Sequence, residues 1–264
     1  MKWILIFLLL SPLTAWCEPQ DWQKTLSPPK PGNFPAPRAQ KSSYLLGWSS
    51  LVAGEVEASF TKPEADTFQL ELKARSIGVV RNLWKLDASH NALAKASTLR
   101  PISLKQVEIY SSKTVTTSLS FSDSGVTSLR TQNPPDTPEA SKQKFQFRNL
   151  YDLQTALLYF RSQRLQPGDR CSLVVFPANA PYLVTVHVIG RENIQIKTGK
   201  YKALKLELDL QKIDSQFHLE RSKKFKRAFA WISDDSDRLL LRVKMEIFVG
   251  SVWSELQSVK FSEP

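Results

Sequence analysis

Residues 239–249 read LLLRVKMEIFV. Leu239, Leu241, Val243, Met245, Ile247 and Val249 fall on one parity; Leu240, Arg242, Lys244 and Glu246 fall on the other. Strict alternation sets one row against a core and the other in water, the pattern of an antiparallel sheet with one wet face. The same period returns upstream. TFQLELKAR (67–75) aligns Phe68, Leu70, Leu72 and Ala74. TVTTSLSF (114–121) aligns Val115, Thr117, Leu119 and Phe121, and ALKLELDLQ (203–211) aligns Leu204, Leu206, Leu208 and Leu210. KTGKY (197–201) and SDDSDR (233–238) read as the turns between such strands. The chain is therefore expected to be mainly β. TQNPPDTPEASKQ (131–143) is a long polar proline loop, but the strands on both sides of it look alike, so one β body over 43–264 is expected.

One stretch breaks the period. NLYDLQTALLYFRSQRLQPGD (149–169) repeats Leu150, Leu153, Leu157 and Phe160 at helical spacing, with Ala156 and Tyr159 beside the stripe. Asn149 is placed to cap it. Asp152 adds negative charge at the first turn, Arg161 and Arg164 add positive charge at the last, and Pro167-Gly168 ends it. The spacing predicts one amphipathic helix over roughly 149–164, its apolar side packed on the sheet.

The chain opens on MKWILIFLLLSPLTAWCEPQ. A charged Lys2, an unbroken apolar run from Trp3 to Leu10, and the small residues Thr14 and Ala15 read as a secretory signal over 1–17, cleaved near Cys17. The rival is a lipoprotein acylated at Cys17, which the bulky Trp16 disfavours. No second long apolar run follows, so no transmembrane helix is expected in the mature chain. Residues 18–42 carry Pro19, Pro28, Pro29, Pro31, Pro35 and Pro37, and are expected to form an extended or disordered spacer. With Cys17 gone, Cys171 stands alone, as a small buried hydrophobe with no partner for a disulfide.

Of the 264 residues, 36 are Lys or Arg and 25 Asp or Glu, a formal net charge of +11. That balance favours anionic partners: a lipid headgroup, lipopolysaccharide phosphate or an acidic glycan. An exported address argues against nucleic acid. The densest basic run, RSKKFKRAF (221–229), places Lys223, Lys224, Lys226 and Arg227 as a candidate contact with an anionic surface, with Phe225 and Phe229 interleaved. His90, His187 and His218 are far apart and fit no zinc spacing. No nucleophile elbow and no phosphate-cradling glycine loop is present. Asp234, Asp235 and Asp237 form the densest acid cluster, read first as turn-capping carboxylates. No catalytic residue, metal ligand or cofactor is assigned.

These stretches resemble a family. YDLQTALLYFR (151–161) is similar to the helix signature of the DUF3108 family of bacterial exported proteins, and other features follow in its order. They are YLLGWSSLVAGEVEASF (44–60), LRPISL (99–104), LQPGD (165–169), IKTGKYKALKLEL (196–208) and AWISDDSDRLLLRVKMEIFVGSVWSEL (230–256). The resemblance covers roughly 44–257. Its signature residues are Trp48, Gly54, Tyr151, Asp152, Leu153, Arg161, Trp231, Ser233, Asp234, Asp235 and Gly250, expected to be structural. It implies a curved or barrel-like antiparallel sheet with one helix packed on it, in the periplasm of a Gram-negative bacterium, and no established activity. Three readings stay open: a non-catalytic protein binding a lipid, a lipid-linked glycan or another envelope component; a module that binds an envelope protein; and an enzyme acting on envelope glycans through Asp234, Asp235 or Glu246.

Overall fold

The structure, a computed structural model, describes residues 22–134, 141–221 and 225–262, with the side chains of Phe225 and Lys226 also outside the description. The first half of the chain is a meander. It comprises β1 (Gln40–Trp48), β2 (Leu51–Glu64), β3 (Thr67–Ser76), the short helix α1 (Gly78–Leu83), β4 (Leu86–Lys95), β5 (Pro101–Tyr110), β6 (Thr114–Ser122), β7 (Gly125–Asn133) and β8 (Ser141–Phe145). Then come β9 (Leu150–Tyr151), the helix α2 (Leu153–Ser162), β10 (Arg170–Val175), β11 (Tyr182–Ile196) and β12 (Gly199–Ile213). β13 (Leu219–Arg221), β14 (Phe225–Ser233), β15 (Leu240–Ile247) and β16 (Ser251–Phe261) complete the chain.

Among the described residues sixteen strands join one sheet, in the order β8-β7-β6-β5-β4-β3-β2-β1-β16-β15-β14-β12-β11-β10-β9, with β13 on β12. The last long strand returns to pair with the first, Gln40 opposite Phe261, so the two halves of the chain form one surface. Among the described residues every ladder is antiparallel except the two-residue β9–β10 pair. The period-two rows are buried at Val115, Thr117 and Leu119 in β6, at Leu204 and Leu206 in β12 and at Leu239 and Leu241, but Val249, expected in the buried row, lies past the end of β15 and is 60% exposed. The proline loop falls between β7 and β8, and residues 135–140 of it lie outside the described residues.

The sheet curls until its halves share a core. Ala92, Leu104, Leu119 and Val126 from β4–β7 meet Leu150, Val174, Leu183 and Ile213 from β9–β12. The loop after β10 is tied to the opposite wall, where Gln106 donates to the Pro177 carbonyl (2.9 Å) and Ser128 to that of Ala178 (3.1 Å). α2 packs into this interior. Ala156, Tyr159 and Phe160 pack on Val184, Val186, Val188, Leu204 and Leu206, while Leu158 packs among Phe60, Phe68, Ala94 and Leu99. Among the described residues no helix is long and apolar enough to cross a membrane.

The helix differs from its sequence reading at its start. Asp152, not Asn149, is the N-cap: its carboxylate accepts from Thr155 N (2.8 Å) and its own N–H donates to Thr155 Oγ1 (3.1 Å). Leu150 belongs to β9, and Leu153 is 62% exposed. The reason is that α2 is enclosed on most sides, burying Gln154, Thr155, Arg161 and Ser162 as well as its apolar residues. A buried helix has no single apolar stripe to locate.

Residues 22–42 depart from the expected spacer. The chain begins its description in a single turn, Trp22–Thr25, with Trp22 buried and its indole N–H on the Phe217 carbonyl (2.9 Å). It then straps across α2. Ser27 N–H donates to Ser172 O (2.9 Å), the Tyr159 hydroxyl to Pro28 O (2.6 Å), and Phe34 N–H to Ser162 O (3.1 Å). β1 has started by Gln40. Proline keeps this segment out of a ladder, but the residues between the prolines still carry donors and apolar rings that can be buried. Residues 1–21, including the expected signal and Cys17, lie outside the described residues.

Candidate functional site

The acidic turn between β14 and β15 is a structural joint. Asp235 Oδ1 accepts from Ser233 Oγ (2.7 Å) and from the backbone N–H groups of Asp237 and Arg238, both at 3.0 Å. Asp234 pairs with Arg191 (2.8 Å) and Asp237 with Arg38 (2.7 Å). Arg161, buried beneath this turn, donates to the Asp237 carbonyl. Desolvation pushes its guanidinium down to about 10. The carboxylates are thus spent on amides and guanidiniums, as in a capped turn. Glu246 lies away from them on β15, opposite Arg227.

Most of the other residues expected as a signature sit in packed or hydrogen-bonded positions. Tyr151 and Tyr159 are buried ring against ring, centroids 5.3 Å apart. Trp231 donates to Glu192 (2.6 Å) across the sheet. A Cβ on Gly54 would stand 2.8 Å from the Arg75 carbonyl oxygen, so β2 and β3 approach too closely there for a side chain. Gly250 has φ +77, and a Cβ there would meet Ser49 Oγ at 2.3 Å. Trp48 is exposed, its indole N–H on the Val249 carbonyl (2.9 Å).

The basic run is only partly described. Lys223 and Lys224 lie outside the described residues, and Lys226 is placed by its backbone alone. A bulge interrupts the β14–β15 register between Phe225 and Arg227, and Ala228 is buried. Arg227 stacks on Phe229 (5.5 Å) and reaches Glu207 (3.4 Å). The three histidines sit apart, His90 in β4, His187 in β11 and His218 in the turn after β12. Among the described residues no His, Cys, Asp or Glu group gathers as a metal site. Cys171 is buried, and desolvation raises its thiol.

One feature was not visible in the sequence. Arg100 after β4, Asp123 and Ser124 in the β6–β7 turn, and Arg148 and Asn149 before β9 line a surface pocket of about 320 Å³. Arg100 is fixed by a hydrogen bond to Asn149 Oδ1 (2.7 Å). Asn149 holds φ +60, a left-handed conformation that Asn tolerates better than most residues. Arg148 is exposed at the mouth. The pocket joins three segments, and its Arg100–Asn149 bond spans 49 positions, so no local pattern announces it. Two guanidiniums beside an amide, a hydroxyl and a carboxylate can hold an anionic group and accept or donate to neighbouring hydroxyls.

The sequence matches the family described as "Protein of unknown function (DUF3108)" over residues 43–257. The chain belongs to this family. Arg100 belongs to the LRPISL stretch, and its bond partner Asn149 lies two residues ahead of YDLQTALLYFR. Among solved structures, the fold is similar to that of a β-barrel-like protein of the domain of unknown function DUF1849 from Brucella abortus. The TM-score is 0.60 and the identity 10%, covering 87% of this chain and 100% of that one. More distant are a candidate exported protein with a YmcC-like fold from Bacteroides fragilis (TM-score 0.37, 7% identity, 87% and 99% covered) and a candidate lipoprotein from Parabacteroides distasonis (0.35, 9%, 88% and 99%). No curated protein matches the sequence. The DUF1849 likeness supports the barrel-like sheet.

Proposed function

We propose that this DUF3108 protein is an exported, non-catalytic binding protein of the cell envelope that recognises a phosphate-bearing envelope component, such as a glycan or a lipid headgroup, at the Arg100–Arg148 pocket. The observation that carries the reading is the pairing of Arg100 and Arg148 on one pocket whose other walls are Asn149, Ser124 and Asp123. Guanidiniums match phosphate oxygens in a planar fork, and the neutral and acidic groups suit sugar or glycerol hydroxyls. The leader-like opening and the basic balance support export and an anionic target. The packing of α2 among the barrel's apolar residues supports a binding place on the outside of the barrel.

Titration calorimetry on the mature protein tests this with three probes: inorganic phosphate, a hexose 1-phosphate and a short-chain phosphatidylglycerol. Tighter binding of the hexose phosphate than of the other two marks a glycan, and the reverse order marks a lipid headgroup. Arg148→Gln should weaken the preferred probe at least about tenfold. Equal binding by Arg148→Gln and wild type, or no preference over inorganic phosphate, would remove the reading.

A further inference from the structure

The β1–β2 and β15–β16 turns are locked side by side. Ser49 N–H donates to Ser251 O (2.7 Å), the Trp253 indole to Ser49 O (2.8 Å) and the Trp48 indole to Val249 O. α1 sits next to them, packed along β2, with Ile77 N–H on Ala53 O (3.0 Å). Since neighbouring strands are antiparallel, these connections share one end of the β1–β5 sheet. The β2–β3, β4–β5 and β6–β7 turns, and with them the Arg100 pocket, lie at the other.

This end is apolar and exposed. Trp48, Leu51 and Val52 stand out from the first turn, Phe248 and Val249 from the second, and Val79, Leu83 and Trp84 from α1. Leu83 is 84% and Phe248 85% exposed. α1 buries none of its residues, although a helix in a soluble protein ordinarily owes its stability to a buried apolar face. Its one charge is drawn away from that face, with the Arg81 guanidinium forked onto Asp87 at 2.7 and 2.9 Å. Trp84 keeps contact with Tyr110, ring centroids 6.5 Å apart, and is still 55% exposed.

We propose that this rim docks the protein on an anionic lipid bilayer, with the side chains of Leu83, Trp84, Trp48 and Val249 entering the headgroup–acyl boundary. The form of the surface favours lipid over a protein groove. The apolar residues sit at the tips of three separate connections, and each tip leaves its apolar side chains exposed. Tryptophan is the residue that bilayer interfaces select, because its ring is apolar and its N–H polar. The indole N–H groups of Trp48 and Trp253 are already satisfied by backbone carbonyls, which limits what the rim must desolvate. Exposed Lys85 follows Trp84 and exposed Lys244 stands on β15 below the Phe248 turn, at the height of phosphate groups. The net charge of +11 adds long-range attraction to an anionic leaflet. Docked in this way, the protein would hold the Arg100 pocket away from the bilayer, a strand's length off.

Flotation of the mature protein with two kinds of vesicle tests the proposal: phosphatidylcholine alone, and phosphatidylcholine doped with phosphatidylglycerol. The protein should float with the doped vesicles and far less with the neutral ones. The variant Leu83→Ser/Trp84→Ser should lose about tenfold in partitioning per side chain, and Val249→Ser should lose a similar factor. These residues are exposed, so thermal melts should stay near those of wild type. The rim variants should bind soluble hexose 1-phosphate as wild type does, which separates failure of the rim from failure of the pocket. Absence of wild-type flotation, or flotation untouched by the rim variants, overturns the proposal. So does concentration-dependent dimerisation that the rim variants abolish without any vesicle binding, which would assign the rim to a second copy.

Discussion

The guanidinium of Arg238 lies 3.3 Å from the centroid of the Phe34 ring, and its nitrogens donate to the carbonyls of Arg161, Gln163 and Arg164. One buried side chain thus caps the end of α2, holds the β14–β15 turn against it and seats the N-terminal strap. Arg238→Met removes every one of these bonds and leaves buried carbonyls without donors, a loss on the order of 3 kcal/mol. Arg238→Lys keeps the charge but not the fork, and should fall between. Urea denaturation of the three proteins checks the order; equal midpoints for wild type and Arg238→Met would contradict the role.

Asp152 is fully buried, with Oδ1 on the helix N-terminus and Oδ2 without a partner. Desolvation raises its carboxyl from 3.8 to about 6. The sign follows. Below the unfolded value both states hold the proton, and the contribution to stability is complete. Between 3.8 and about 6 only the folded state keeps it, so stability falls as pH rises, by roughly 3 kcal/mol over the window. Asn caps helices as well as Asp and carries no charge. Asp152→Asn should therefore flatten this slope and be the more stable protein at neutral pH. Denaturation midpoints measured across that window decide it, since parallel curves for the two proteins would show that Asp152 is ionised throughout.

Gly32 crosses α2 where no side chain fits. Its N–H donates to Ser162 Oγ (3.0 Å), and a Cβ would come within 2.0 Å of the Ser162 carbonyl oxygen. Both atoms are held, the oxygen by Phe34 N–H and the hydroxyl by Tyr159 O (2.6 Å). Gly32→Ala should lift the strap locally, costing about 1–3 kcal/mol by the overpacking route. Limited proteolysis should then cut within residues 26–38 faster than in wild type, while the barrel strands stay resistant. Unchanged cutting would mean that the strap yields at no cost.

How much of this was legible in the sequence differs by feature. The strands were, because a half-buried sheet writes its two faces as alternation, and Val115-Thr117-Leu119 or Leu204-Leu206 need no partner to be read. The helix was legible as an element but not in its facing. Leu153 completes a plausible stripe with Leu157 and Phe160, yet the cap at Asp152 and enclosure on several sides turned it outward. The strap was hidden because proline content reports the absence of regular structure, not the absence of packing. Its signal lay in Trp22 and Phe34, large apolar residues that a solvated spacer has little use for. The pocket and the rim depend on which turns share an end of the sheet. That is set by strand order, and Arg100 and Asn149 give no hint of each other in the chain.

The acidic turn separates a structural role from a catalytic one. Asp235 accepts three hydrogen bonds through one oxygen, whereas Asp234 makes a single partly exposed ion pair with Arg191. Replacing Asp235 by Asn weakens charge-assisted bonds at the joint that positions Arg238, and should lower stability by about 1–2 kcal/mol. Asp234→Asn loses only a surface pair, worth less than about 1 kcal/mol. A chain that used the two carboxylates together for acid–base chemistry would give the opposite pattern, with both variants fully stable and both inactive in cells. Thermal unfolding of the purified variants, set beside complementation of a deletion strain, distinguishes the two. The geometry predicts that any cellular defect of Asp235→Asn tracks its loss of stability, and that Asp234→Asn behaves as wild type.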